Sequence, residues 1–263
     1  MLNLLPTHVV LYIYVLTALI GLVLGSALNC LSFRIAHGQK WAGNQRSCCP
    51  ACGHPLAAKD LIPLVSYLSL RGKCRYCGTR ISPRYPLTEA LLSVCFLSLL
   101  ARFGLTWDAL TAAILCACLL CLSLVDLETQ IIPDRFLLIP AIARAVQLVL
   151  EGGFPGLLHG VLPGLIVGGA VLALSLLMER ILKKDAMGGG DIKLLAVLGM
   201  FLTLPECLLL LIFACVSGIF MAAVLMKVNP DTAFPFGPAL SAAAWLTLLA
   251  GKPIVSWYLS LFM

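Results

Sequence analysis

Asp126 and Asp191 are the residues whose type and setting first invite chemistry. Asp126 closes the apolar run 119–125, and Ile132-Pro133-Asp134 follows it. Asp191 comes after Gly188-Gly189-Gly190 and opens the run that begins Ile192-Lys193-Leu194. A carboxylate at the end of a long apolar run is costly to keep near lipid and is a functional candidate on that ground. Two such carboxylates sharing one proton can activate a water and polarise a carbonyl together. The ionised member takes a proton from the attacking water, the neutral member gives its proton to the oxyanion, and the first then protonates the leaving amine. Gly188 and Gly190 let backbone approach closely beside Asp191, leaving room for an extended substrate to pair by its main chain. Taken singly, each aspartate also reads as a helix cap or interfacial charge. Asp191 stands ahead of a helical run and would cap it, and Asp134 reads as the cap of the next one. Glu89, inside another apolar run, is a further costly carboxylate. Glu151, Glu179, Asp185 and Glu206 read as interfacial charges.

A second constellation is made of sulfur. Cys49-Pro50-Ala51-Cys52 and Cys74-Arg75-Tyr76-Cys77 are two C-x-x-C pairs. Together they supply four thiolates, each pair gripping one edge of a tetrahedral Zn²⁺. Gly53 and Gly78 follow directly, where a tight turn is needed. A closed four-cysteine site leaves no position for a water, so the role it predicts is structural. It would fold a loop too poor in apolar residues to hold itself together. Disulfide or redox chemistry and free thiols are the alternatives, and Cys48 is a spare that could compete with Cys49. Most of the other cysteines among the twelve lie in apolar runs, where Cys packs as a small hydrophobe.

The elements that must position these groups follow from composition. Of 263 residues, 61% are hydrophobic and 11% charged, far from the globular norm. The apolar residues form eight charge-poor segments, roughly 9–33, 86–104, 108–126, 135–150, 157–179, 192–204, 206–227 and 236–260. Helices are the way to satisfy their backbone in lipid. The fold class expected is an all-α polytopic membrane protein of about eight transmembrane helices. Segments four and six are shorter than a full span. No removable signal peptide is expected, because no Lys or Arg precedes Arg34. Nine of the eighteen basic residues lie between Arg34 and Arg84, Lys40 and Arg46 among them, with Asp60 alone opposing them. This loop is therefore expected on the cytoplasmic side, as are Arg180, Lys183, Lys184 and Lys227, while Lys252 fits the rule poorly. The charge of the loop is read as the positive-inside pattern lying on anionic lipid, with no nucleic-acid partner. The expected division is 1–34, a first membrane helix; 35–85, the tetracysteine loop; and 86–263, a membrane bundle carrying the aspartates. No internal repeat is visible.

Taken together, these residues resemble the type IV prepilin peptidase family, the prepilin leader peptidase/N-methyltransferases. Gly25-Ser26-Ala27-Leu28-Asn29 is similar to the G-S-F-L-N stretch ending that family's first helix. The two C-x-x-C pairs match its tetracysteine loop, with Ile62-Pro63 and Leu70-Arg71-Gly72-Lys73 between them and 81–86 after them. Asp126 with Ile132-Pro133-Asp134 resembles its first aspartate motif. Gly188-Gly189-Gly190-Asp191 resembles its G-x-G-D, and Phe236-Gly237-Pro238 its late turn. Ala27 and Ala239 stand where an aromatic is usual, and Cys48 is additional. The resemblance implies an aspartic endopeptidase of the bacterial inner membrane, with Asp126 and Asp191 catalytic. Its substrates would be prepilins or pseudopilins with a short basic leader, cut after Gly at the cytoplasmic face. It further implies methylation of the new amino terminus by S-adenosylmethionine, with the loop and Glu89 as contributors. Two readings compete: a proton-coupled transporter using the aspartates as a relay, and a zinc-knuckle scaffold of a secretion machine.

Overall fold

The structure, a computed structural model, describes residues 6–39, 47–183, 187–228 and 235–262, with the side chains of 224–228 excepted. Lys40, Arg46, Lys184 and Asp185, and the side chain of Lys227, lie outside that description. The described chain is helical, with two isolated bridges in the cysteine loop. It divides into two units, Met1–Thr106 and Trp107–Met263.

The first unit holds α1 (Thr7–Ala36), the short α2 (Val65–Ser69) and α3 (Arg84–Phe103). Helices in lipid gain nothing by burying apolar surface against each other, so they associate where small residues let backbones approach. Gly21 and Gly25 supply that here. A Cβ on Gly21 would stand 2.6 Å from the Cα of Ser93, and one on Gly25 would stand 2.8 Å from the Cα of Glu89. Asn29 and Ser32 continue the same face. Asn29 Nδ2 donates to Thr88 Oγ1 at 2.8 Å, and Ser93 Oγ donates to the carbonyl of Ala18 at 3.1 Å. The opposite face of α1, with Leu11, Val15, Leu19 and Val23, is exposed and suits lipid.

The second unit holds α4 (Trp107–Thr129), α5 (Arg135–Leu182), α6 (Gly189–Gly199), α7 (Leu204–Val228) and α8 (Gly237–Ser260). Unbroken, the 48 residues of α5 would reach about 72 Å, more than twice a hydrocarbon core. They do not, because Gly153 takes φ 60° and ψ −156° and reverses the chain. A Cβ on Gly156 would lie 2.9 Å from the carbonyl oxygen of Leu148, although eight residues of continuous helix would separate them by about 12 Å. Gly160, Gly164 and Gly168 continue at four-residue steps down the second arm. Gly164 meets Ala196 and Gly199 of α6 almost backbone to backbone.

Among the described residues, six helices are long and apolar enough to cross a membrane. The hydropathy reading counted eight segments. Segments four and five are the two arms of α5, and segment six is α6, which at 11 residues is shorter than a span. One charge differs from its sequence reading. Glu206 is not interfacial but 4% exposed. At the start of α7 its carboxylate reaches back to Thr203, taking the Thr203 N–H and hydroxyl at 2.8 Å each, one half of a capping box. Glu151 accepts from Gln147 Nε2 at 3.0 Å, in a cluster where Arg144 and Gln147 also hold Asp108. Glu179 takes a hydrogen bond from Ser175.

The glycine seams make a specific expectation. Gly25→Ala forces a methyl into the α3 backbone and should destabilise the protein by about 1–3 kcal/mol. Gly169→Ala, where the added Cβ meets nothing within 4 Å, should leave stability unchanged. Thermal unfolding of the two variants in detergent measures the difference.

Candidate functional site

Three stretches separated in sequence converge in the second unit. α4 runs on past Asp126, which lies in its last turn and is 5% exposed. Oδ2 of Asp126 accepts the backbone N–H of Gly237 at 3.0 Å. A side chain is excluded at that position, because a Cβ on Gly237 would lie 2.7 Å from the same oxygen. Gly237 begins α8, and Ser241 one turn later fixes it. The Ser241 hydroxyl donates to the Gly237 carbonyl at 2.8 Å and lies 2.8 Å from the Ser123 hydroxyl, one turn before Asp126.

The glycine stretch arrives from the other side. Gly188 is the N-cap of α6 in extended conformation, and Asp191 lies within the first turn. Asp191 is therefore not the cap that its position suggested, and neither residue makes a side-chain capping bond. A Cβ on Gly190 would stand 3.0 Å from the Cβ of Ile132, so the glycine admits the Ile132-Pro133-Asp134 segment against the start of α6. Gly188 borders the carboxylate itself: its Cβ position is 3.3 Å from Asp191 Oδ2. Asp134 stands at the N-cap of α5 but makes no capping bond. Its carboxylate pairs instead with Lys193 Nζ at 2.8 Å, tying the start of α5 to α6. Asp191 is half-buried and near enough to Asp126 to feel its charge. Among the described residues no hydrogen-bond donor reaches the Asp191 carboxylate, and Gly237 alone reaches that of Asp126.

The cysteine loop belongs to the first unit. Sγ atoms of Cys49, Cys52, Cys74 and Cys77 all lie within 4.8 Å of one another. Cys49 and Cys77 are 3.9 Å apart, close to the edge of about 3.8 Å that four Zn–S bonds of 2.3 Å define in a tetrahedron. That separation is far beyond a disulfide bond, and all four cysteines are free. The donor set fits structural zinc. Cys48 is exposed and outside the cluster.

The two halves of the loop share one hydrogen-bond pattern, a repeat hidden in the sequence because only the cysteines and glycines carry it. In each half the first cysteine accepts from the glycine four residues on, Gly53 or Gly78, at 2.8 and 3.0 Å. Each first cysteine also donates to the carbonyl five residues on, that of His54 or Thr79. The flanking residues bridge, Cys48 with Pro55 and Lys73 with Arg80. Gly53 and Gly78 take φ of 69° and 73°, as their place in the motif predicts.

So close a set of thiols cannot all ionise unaided. Hydrogen bonding to the Thr79 side chain and backbone pulls Cys77 down to about 6. At Cys52 the His54 amide favours the thiolate, but burial and the Cys49 and Cys77 sulfurs outweigh it and push the thiol up to about 11. A divalent cation removes that conflict. The loop is also braced by Asp60, which accepts from Arg75 Nε at 2.7 Å and Tyr76 Oη at 2.9 Å. The Arg75 guanidinium holds its carboxyl below the usual range.

Known proteins decide the family. Residues 19–103 match the bacterial peptidase A24 N-terminal domain, and residues 113–223 match the type IV leader peptidase family. A prepilin leader peptidase/N-methyltransferase of Neisseria gonorrhoeae is 35% identical over 93% of this chain and 94% of its own length. One from Aeromonas salmonicida is 40% identical over 82% of this chain and 75% of its own, and one from Aeromonas hydrophila 37% over 83% and 76%. This chain belongs to the type IV leader peptidase family. No solved structure matches it significantly. Both matched regions of this leader peptidase contain one of its two constellations, the cysteines in 19–103 and the aspartates in 113–223. The transporter reading finds no support in these relatives.

Two features of this leader peptidase escaped the sequence reading. Glu89 is 6% exposed, and its Oε2 accepts the N–H of Leu64 at 2.8 Å. It tethers the loop to α3. The four-residue step from Gly21 to Gly25 is the signal that would have placed α1 against Glu89. Ser123 and Ser241 carry no signal of their own in an apolar run.

Two outcomes test the loop. Purified protein should contain one zinc per chain by metal analysis, and Cys74→Ser should lose it and open residues 47–80 to added protease. Asp60→Asn should raise protease sensitivity near neutral pH. Because the folded-state carboxyl titrates below its usual range, its contribution is present above that range and lost as pH falls through the depressed value. The difference between wild type and Asp60→Asn in limited proteolysis should therefore vanish on strong acidification.

Proposed function

We propose that this membrane protein is an aspartic endopeptidase that removes the short basic leader of type IV prepilins or pseudopilins after Gly, with Asp126 and Asp191 as its catalytic pair. The observation that carries the reading is the convergence of the two carboxylates from α4 and α6 at one end of the second unit, with Gly237 holding Asp126 by one oxygen. The end of α4 and the beginnings of α5, α6 and α8 meet there. With both arms of α5 crossing and α6 crossing a thinned or water-filled region, the chain passes the membrane eight times and that end lies on one face. The basic loop and the positive-inside rule assign that face to the cytoplasm, which is the side of the bacterial inner membrane where a basic leader remains.

The chemistry follows from the geometry. Oδ2 of Asp126 is fixed by the Gly237 N–H, leaving its other oxygen for a water. Asp191 stands beside it with no donor among the described residues, free to share a proton with Asp126 and to polarise the scissile carbonyl. One carboxylate takes the proton of the attacking water, and the other gives its proton to the developing oxyanion. Gly188 and Gly190 keep side chains away from that position and leave main chain for an extended substrate. The relatives named above are N-methyltransferases as well. By that likeness S-adenosylmethionine would supply the methyl group for the new amino terminus, and Cys49, Cys52, Cys74 and Cys77 would hold a structural zinc.

A prepilin-like peptide with a basic leader and a Gly-Phe junction, mixed with the protein in liposomes, tests this. Wild type should cut at Gly-Phe. Asp126→Asn and Asp191→Asn should each lose about 10²-fold or more of the rate while inserting normally. Near-wild-type cleavage by either variant would reject the pair.

A further inference from the structure

Between the two cysteine knuckles the loop presents an apolar surface that the protein itself does not cover. Leu61, Ile62, Val65 and Leu68 are 43%, 48%, 58% and 71% exposed. Val65 and Leu68, three residues apart, share one side of α2, and Leu61 and Ile62 lie in the bend that leads into it. The segment is well framed. Ser66 is buried and donates to the carbonyl of Ile62. Gly72, at φ 68°, turns the chain against the ring of Tyr67, and its carbonyl accepts from Ile81 at 2.8 Å. Four aliphatic side chains held out from so ordered a turn call for a partner that removes them from water.

Three observations identify that partner. The first is depth. Glu89 lies within the first two turns of α3, a span, and its carboxylate grips the N–H of Leu64. The apolar turn is thereby moored at the level where α3 enters the bilayer. The second is continuity: Leu87, Leu91 and Val94, at 65%, 47% and 51% exposure, form a lipid-suited stripe on α3 that begins at this same level. The third is charge. Lys59, Arg71 and Lys73 are exposed on either side of the apolar turn. Asp60, the one acid between Arg34 and Arg84, is taken up by Arg75 and Tyr76. The surface therefore combines aliphatic side chains with uncompensated cations at the height of lipid headgroups, the pattern of an interfacial anchor.

We propose that residues 59–73 are a membrane-interface anchor: Leu61, Ile62, Val65 and Leu68 insert at the boundary of headgroups and acyl chains, and Lys59, Arg71 and Lys73 hold anionic headgroups. The Glu89–Leu64 hydrogen bond sets the depth of insertion, which gives that buried carboxylate a use unconnected with catalysis. The anchor fixes the zinc knuckles on the membrane surface.

The test uses the full chain in nanodiscs. Leu68→Trp adds an indole at the most exposed of the four positions. Its emission is read as the difference from wild type in lipid brominated near the top of the acyl chain. In phosphatidylcholine containing phosphatidylglycerol, roughly half of the added emission should be quenched, as for a side chain at interfacial depth. Replacing Lys59, Arg71 and Lys73 with Gln in the same chain should reduce that quenching. Added emission that is red-shifted and unquenched in every bilayer would overturn the anchor. Equal quenching with and without phosphatidylglycerol, unmoved by the Gln replacements, would overturn the headgroup part. Zinc content, measured on each variant, shows that the knuckles remain folded.

Discussion

Backbone pressed on backbone at glycine is the interaction on which this structure depends. In water, helices are driven together by burying apolar side chains, but in lipid that drive is absent and packing and hydrogen bonds must replace it. Gly21 and Gly25 bring α1 onto α3, and Gly164 and Gly199 bring the second arm of α5 onto α6. The first seam also carries polar groups that pair only because the helices are so close. Asn29 reaches Thr88 through the first. The second sets the line of α6, and with it the place of Asp191 at its beginning.

The same device operates at the carboxylates. Gly237 can donate to Asp126 only because it has no side chain, and Gly190 can lie on Ile132 for the same reason. Glycine is usually credited with conformational freedom. Here Gly188, Gly189 and Gly190 have no positive φ among them, and what they provide is space. By contrast Gly53, Gly78 and Gly153 are needed for their dihedral angles, the first two to close the cysteine knuckles and the third to reverse α5.

Much of this was legible in the sequence, and the rest was not for identifiable reasons. The apolar runs, the four cysteines and the two aspartate stretches were readable because each rests on residue types with few other uses in lipid. The turn at Gly153 was readable only as a gap between segments 135–150 and 157–179, since hydropathy does not tell a reversal from a continuous helix. The caps were misread. Asp134 does take the N-cap position of α5 but its carboxylate is drawn to Lys193, and Asp191 lies inside the first turn of α6, where Gly188 is the N-cap. Glu206 passed for an interfacial charge because an acid that holds a helix start and one at the interface leave the same trace in composition, and only Thr203 three residues earlier distinguishes them. The repeat of the two knuckles lives in backbone hydrogen bonds, to which side-chain identity is nearly blind.

A comparison among the acids bears on what the aspartates are for. A carboxylate withdrawn from water must be compensated, and a folded chain normally provides for it. Glu206 has the amide and hydroxyl of Thr203, Asp60 has Arg75 and Tyr76, and Glu89 has the amide of Leu64. Asp126 has a single amide, and Asp191 has no donor among the described residues. Structural acids are satisfied by the protein, whereas acids that must bind water and pass protons need their remaining lone pairs open. The imbalance therefore runs in the direction that the catalytic pair proposed above requires.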